Sequence, residues 1–278
     1  MNINNSSTGM FQISDQEFEK LMTFIKTKYG IDLTKKKILI QSRLSSVLRE
    51  RGLKDFNEYI NLVFKDTSGK EVTTLLNKLT TNHSYFMREQ EHFRFLASDV
   101  LPLITQKQTT LKELNIWSAG CSAGQEAYTT AMAIDEFLGI KNKLWTVKIF
   151  ATDISMNVLE QAKVAVYSAD NLKDVPPKWL DKYFEKVDNN SYKVCEFIRK
   201  QVVFKSFNLM EPFRFPRPFD LILCRNVMIY FDKLTKETLV EKFHQVTAVD
   251  GFLFIGHSEV IDKGLTKYKY IKPAIYQK

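Results

Sequence analysis

The chain has 278 residues, 44% hydrophobic and 26% charged, with 40 Lys and Arg against 32 Asp and Glu for a formal net charge of +8. That length allows one large domain or two modest ones with a full core, and the composition is that of a globular protein, not a disordered or fibrous one. No apolar run approaches the ~18 residues of a membrane span, the polar start MNINNSSTGM lacks a secretion-signal layout, and three widely spaced cysteines without a CxxC pair argue against a disulfide framework or thiolate zinc site, so a cytosolic protein is expected.

Residues 14 to 80 read as short helices. Ser14 with Glu17 forms a capping-box pattern ahead of Phe18, Leu21, Met22 and Ile25 at helical spacing, and Gly30 stops that helix. The stretch KKKILIQSRLSSVLRERG follows, with Ile38, Leu39, Leu44, Val47 and Leu48 as its expected buried side. Asp55 with Glu58, and Ser68 with Glu71, open two more helices. From Asn115 onward short apolar runs alternate with helical stretches: NIWSAG, TVKIFATDIS, QVVFKSFNL, FDLILCRNVMIY and FLFIGHSE as strands, GQEAYTTAMAIDEFLG, MNVLEQAKVAVY and TKETLVEKFHQVTAVDG as helices, and YKYIKPAIYQK as a last strand. Such alternation means βαβ units and a mostly parallel sheet. Residues 164–203 interrupt the rhythm with a double proline, an Asp-Asn-Asn turn and an alternating SYKVCEFI, which predicts an inserted short helix and a small antiparallel hairpin.

Four places carry chemistry. The turn after the first strand is G-C-S-A-G, which fits neither the dinucleotide fingerprint nor the P-loop. Glu126 stands at the following helix start, where it would repel two phosphates and attract a cation; S-adenosylmethionine, with an ammonium, a sulfonium and no phosphate, fits. The plainer alternative is an acid favoured there by the helix dipole. Asp153 ends a strand about thirty residues on, placed either to accept ribose hydroxyls or to cap the helix MNVLEQA. Arg225, Asn226 and Tyr230 follow an apolar strand and belong at a site edge. In LTTNHSYFMREQEHF, Asn82, Ser84 and Arg88 are placed to lie over a cofactor as a lid, although taken alone Arg88 reads as a surface charge. His83, His92, His244 and His257 lack HExxH spacing, and no metal is expected.

The ordered set TTNHSYFMRE, WSAGCSAGQEAY, ATDIS, FNL, CRNVMIYFD and GHSE resembles the chemotaxis receptor methyltransferases, the CheR type, over nearly the whole chain. The resemblance implies a Rossmann-like class I S-adenosylmethionine-dependent methyltransferase domain over 83–278 with a small inserted antiparallel β-subdomain at about 164–203, behind an all-helical domain over 1–82. It also implies methyl transfer to glutamate side chains of chemoreceptor cytoplasmic helices. It assigns Asn82, Ser84 and Arg88 to a cofactor-contacting lid, Glu126 to the methionine end and Asp153 to the ribose. Asn208 and Leu209 fall to the adenine side and Asn226 and Val227 to the loop beside the methyl, with Arg88 and Tyr230 nearest the sulfonium as catalytic candidates. Ser84 stands where threonine is common in the family. In some members the insert holds a receptor tail peptide through a glycine-rich loop; here KVDNNSYK has no glycine, which argues against tail binding.

A substrate helix rich in glutamate suits a basic docking face, and Lys35, Lys36, Lys37, Arg43, Arg49 and Arg51 supply one, unless they are an ordinary solvated helix face. The competing functions are a nucleic-acid methyltransferase, suggested by the charge, and a non-catalytic S-adenosylmethionine sensor. Against the first, CRNVMIYF lacks the N-P-P-[YFW] shape used on base amino groups and no aromatic-rich RNA module is present, so no nucleic-acid partner is expected. A nicotinamide oxidoreductase is disfavoured by Glu126 and the glycine spacing. No membrane insertion is expected, and nothing demands more than a monomer.

Overall fold

The computed structural model describes residues 11–80, 83–107 and 112–278. The chain forms two compact units, Met1–Thr81 and Asn82–Lys278.

The first unit is helical throughout its described residues: α1 (Asp15–Tyr29), α2 (Lys37–Glu50), α3 (Phe56–Lys65) and α4 (Lys70–Leu79). Ser14 and Glu17 close the capping box expected for α1, and Gly30 ends it in the left-handed conformation at φ 72°. Asp55 caps α3 by accepting from the Glu58 amide at 2.9 Å. The cap position of α4 is Gly69 at φ 75° and not Ser68, whose hydroxyl accepts the Lys70 amide at 3.3 Å, while Asp66 accepts the Glu71 amide at 2.7 Å. Ile40, Leu44, Val47 and Leu48 bury one stripe of α2, whereas Ile38 is 82% and Leu39 42% exposed. Ile38 is two residues, about 200° of helix rotation, from Ile40, so the run of apolar letters crosses to the solvent side.

In the second unit, α5 (Gln90–Phe95) runs through one widened turn, Leu96–Val100, into α6 (Leu101–Lys107). The widened turn ends two residues before Pro102, whose ring and missing N–H disfavour a regular helix there. Then follow β1 (Glu113–Ala119), α7 (Gln125–Leu138), β2 (Thr146–Asp153), α8 (Met156–Val164), β3 (Val166–Ser168), α9 (Pro177–Tyr183), β4 (Phe184–Lys186), β5 (Ser191–Val194), α10 (Glu196–Arg199), β6 (Val202–Ser206), β7 (Phe219–Cys224), α11 (Lys233–Val246), β8 (Thr247–Ile255), β9 (Lys269–Lys272) and β10 (Ile275–Gln277). The main sheet has the order β6-β2-β1-β7-β8-β10-β9. Strands β6, β2, β1, β7 and β8 are parallel, and β10 is antiparallel to both β8 and β9.

Two expectations are corrected here. The stretch YKYIKPAIYQK is two strands, β9 and β10, because Ala274 turns the chain at φ 63° right after Pro273. The insert is a three-stranded sheet of order β3-β5-β4: α8 stops at Ala165 (φ 57°), which frees Val166–Ser168 to pair with β5, while the half-run CEFI coils into α10. Tyr183 ties the insert to α7 through its hydroxyl, 2.8 Å from Asp135 and 2.6 Å from Glu136.

Candidate active site

Strand order reverses between β1 and β7, so their carboxyl ends open the crevice where ligands bind in such sheets. The glycine turn forms one wall. Its amides are already engaged: Gly120 and Cys121 donate to the Thr152 carbonyl at 2.7 and 2.8 Å, and Gly124 donates to Cys121. The Ser122 amide donates to Asp153 Oδ2 at 2.9 Å. This turn is therefore no phosphate cradle. Gly120 sits at φ 93°, and a Cβ there would lie 2.3 Å from Val227 Cγ2, so only glycine lets the turn approach the β7 loop.

Asp153 ends β2 as expected. The cap of α8 is Ser155, which accepts from the Val158 amide, while Asp153 Oδ1 accepts the Ser155 amide at 2.9 Å. Burial raises the Asp153 pKa, and the amide hydrogen bonds oppose it.

Glu126, in the first turn of α7, is not a lone acid. It accepts from the Ser118 hydroxyl at 2.6 Å and from Arg225 Nη1 at 3.1 Å. Burial pushes its pKa up, against the pull of Arg225 and Ser118. Arg225, only 2% exposed, also donates through Nε and Nη2 to Glu89 Oε2 at 3.2 and 3.1 Å and to the Arg88 carbonyl. Its guanidinium lies over Phe93 at 5.4 Å. Glu89 Oε1 accepts from Asn226 Nδ2 and from the His257 amide, both at 3.2 Å. Burial raises Glu89, but Arg225, the Asn226 amide and the His257 amide outweigh it and leave its pKa below the ordinary value.

Arg88 and Asn226, 138 residues apart, meet: Arg88 Nη2 donates to Asn226 Oδ1 at 2.7 Å, and Nη1 donates to the His83 carbonyl at 2.9 Å. Among the described residues the Arg88 fork touches no carboxylate. Asn226 itself is left-handed, φ 61°. Glu259 holds that bend by accepting the Asn226, Ile229 and Gly256 amides at 2.9, 3.1 and 2.6 Å. Tyr230 lies half-buried on the turn that follows, and Ser84 is half-buried before Arg88. Asn208 Oδ1 accepts the Met210 amide, Leu209 is buried, and the Phe207 amide joins this segment to the end of β2 at 3.1 Å. Lys242 donates to the Leu209 and Glu211 carbonyls at 2.6 and 2.5 Å. Asn82 lies outside the described residues.

The structure thus gathers Arg88, Glu126, Asn226 and Val227 around the β1–β7 crevice and places Asp153, Asn208 and Leu209 along the β2–β6 side. Sequence reasoning overlooked Glu89, Glu259 and Lys242. The first two stand inside segments already singled out, MREQ and GHSE, but their roles consist of contacts to residues distant in the chain.

The six basic docking candidates separate into two groups. Lys37 pairs with Asp15 at 2.6 Å, Arg51 with Glu71 at 3.0 Å, and Arg43 caps α4 through the Lys78 and Leu79 carbonyls at 3.2 and 3.1 Å. The side chains of Lys35, Lys36 and Arg49 are exposed and make no hydrogen bond or ion pair among the described residues. No helix among the described residues is long and apolar enough to cross a membrane.

Residues 82–276 match the family model described as CheR methyltransferase, SAM binding domain, and residues 16–80 match CheR methyltransferase, all-alpha domain. A chemotaxis protein methyltransferase of Borreliella burgdorferi is 43% identical over 283 aligned residues, covering 100% of both chains. Proteins of the same description are 36% identical in Salmonella typhimurium, covering 91% of this chain and 86% of the relative, and 35% identical in Escherichia coli, covering 91% and 87%. With a class I methyltransferase sheet, an all-helical leading unit and a small antiparallel insert, this chain belongs to the S-adenosylmethionine-dependent chemotaxis protein methyltransferase family.

Proposed function

We propose that the enzyme methylates glutamate side chains on the cytoplasmic helices of chemoreceptors, giving glutamate methyl esters. The observation that carries this reading is the charge layout of the crevice. The turn amides are spent on Thr152 and Asp153, while two carboxylates, Glu89 and Glu126, share the one guanidinium of Arg225. That layout suits a phosphate-free cation. The Arg88 guanidinium, hydrogen-bonded to Asn226 and the His83 carbonyl but facing no carboxylate among the described residues, suits one on the cofactor or on the acceptor.

S-adenosylmethionine supplies the methyl group: the acceptor oxygen bonds to the methyl carbon as the carbon–sulfur bond breaks, and the electron pair goes to sulfur. A glutamate carboxylate, with an ordinary pKa near 4.3, is already ionised and requires no general base. Opposite charges are consumed, so excluding water favours the step. The chain's part is alignment, an effect worth up to roughly 7–11 kcal/mol in ideal intramolecular cases. Glu126 meets the ammonium, Asp153 the ribose hydroxyls, Asn208 and Leu209 the adenine side. Asn226 and Val227 flank the methyl, Ser84 with Asn82 covers the ligand, and Tyr230 orients the acceptor or shields the sulfonium. Receptor helices dock along α2 and the segment that leads into it, through Lys35 and Lys36 beside the exposed Ile38 and Leu39, and through Arg49 near the other end of the helix. Lys37, Arg43 and Arg51 add charge there while serving the helical unit itself. The enzyme acts as a cytoplasmic monomer without nucleic-acid partners.

A methyl-transfer assay with radiolabelled cofactor tests the proposal. Base-labile label on receptor glutamates supports it; label on nucleic acid, or no transfer to receptor at all, overturns it.

A further inference from the structure

Glu89 holds an unusual position. It follows the lid residue Arg88, and both Met87 (φ 63°) and Glu89 (φ 57°) are non-glycine residues in the left-handed region. Backbone strain at such positions persists only where the surroundings fix it. The Met87 amide is held by the Thr129 hydroxyl at 3.4 Å, and the Glu89 bend is held by its carboxylate. Oε2 takes Nε and Nη2 of Arg225, and Oε1 takes the Asn226 side-chain amide and the His257 backbone amide.

Glu89, His92 and His257 also have the composition of a metal site, with one donor atom from each lying within 4.8 Å of the others; neither ring nitrogen of the buried His92 makes a hydrogen bond, although Nδ1 lies 3.4 Å from Glu89 Oε2. Both Glu89 oxygens, however, are occupied by protein donors, and a guanidinium lies 3.1 Å away. A cation there would have to displace Arg225. The geometry favours a different use.

We propose that Glu89 is a positioning residue for cofactor capture, acting through Arg225 and resting on the reading that Glu126 meets the cofactor's ammonium. Arg225 spans two carboxylates with one positive charge. Glu89 takes the Nε–Nη2 side of the fork and leaves Glu126 a single hydrogen bond, at 3.1 Å from Nη1. Without the Glu89 charge, the whole guanidinium would turn to Glu126 and neutralise it, and the crevice would lose its surplus negative charge. Glu89 also fixes the Asn226 amide: Nδ2 is held by the carboxylate, so Oδ1 faces the Arg88 fork. The two arginines flanking the crevice are thereby oriented from one carboxylate.

The test is S-adenosylhomocysteine binding by calorimetry, at a temperature where near-ultraviolet circular dichroism shows every variant folded. Glu89→Gln, which keeps the shape and removes the charge, is expected to weaken binding about tenfold. In an Arg225→Gln background the same change is expected to have a much smaller effect, limited to the Asn226 contact that does not run through Arg225. A purely structural role would give an additive loss instead. Arg225→Lys, which keeps a positive charge but cannot fork, reads the same link without altering Glu89 and is likewise expected to weaken binding about tenfold. Binding within twofold of wild type in Glu89→Gln or Arg225→Lys, or an undiminished loss in the double variant, overturns the proposal. Glu126→Gln separates the two readings: if it binds normally, the ammonium assignment falls and takes this inference with it. If it binds weakly while Glu89→Gln does not, only the inference falls.

Discussion

The helical unit and the methyltransferase unit both carry exposed ion pairs, such as Lys26–Asp32 and Lys200–Glu196, but among the described residues the second also buries a charged cluster. In the first, ion pairs lie at the surface: Lys37–Asp15 has side chains 34% and 97% exposed, and Lys26–Asp32 43% and 26%. Such pairs are worth about 0–1 kcal/mol each and are screened by salt. In the second, Arg225, Glu89 and Glu126 are 2%, 14% and 11% exposed and form one hydrogen-bonded cluster. Removing one member of a buried pair typically costs about 3–5 kcal/mol. Charges held loosely at a surface can exchange partners when another molecule arrives. Charges locked in a crevice cannot, and they instead present a fixed field to a small ligand.

The largest effect that would sharpen this contrast is expected at Arg88. Arg88→Ala should lower kcat/KM on receptor by roughly 100-fold, the order of loss that a misplaced reacting group produces. Arg88→Lys should recover little, because a point charge does not replace the fork. Steady-state kinetics within threefold of wild type for either variant would remove Arg88 from the reacting centre.

Next comes acid stability, which should belong to the methyltransferase unit. Burial, then Arg225, pulls the His92 pKa from 6.5 down to about 3, with Glu89 opposing and His257 and Lys272 adding to the depression. The unfolded chain therefore takes up a proton below pH 6.5 that the native state refuses until about pH 3. Stability falls as pH drops through that window, by up to about 1.4 kcal/mol per pH unit. His92→Phe should flatten the unfolding curve between those limits; an unchanged slope in denaturant titrations would show that His92 is not the source.

At the helical unit the expected effects are smaller and salt-dependent. Reversing Lys35, Lys36 and Arg49 to Glu should raise the receptor KM several-fold at low ionic strength, converge with wild type at high salt, and leave S-adenosylhomocysteine affinity unchanged. Arg43→Glu should instead lower Tm, since Arg43 caps α4. Receptor kinetics unaffected by the triple reversal would remove α2 as the docking face. The smallest effect is reserved for Ile38→Ser: at 82% exposure it should shift stability by no more than about 0.5 kcal/mol, whereas a buried isoleucine would cost several times that.

What the sequence could determine alone was whatever depends on near neighbours. The capping box at Ser14, the cap at Asp55, the glycine stop at Gly30 and the strand–turn–helix at Gly120–Gly124 all involve residues within a few positions, and each formed as read. Ordered motifs were enough to reveal the family as well. Features needing a second surface were not legible. The side of α2 facing its neighbours, the third strand of the insert and the splitting of the last strand depend on which partner an apolar or extended segment meets. The site shows the same division. Glu126 and Asp153 announced themselves by following a turn and ending a strand, but Arg225 reaches Glu89 across 136 residues and Arg88 reaches Asn226 across 138. Only the folded sheet brings those groups within hydrogen-bonding distance, and an electrostatic network exists only at that range.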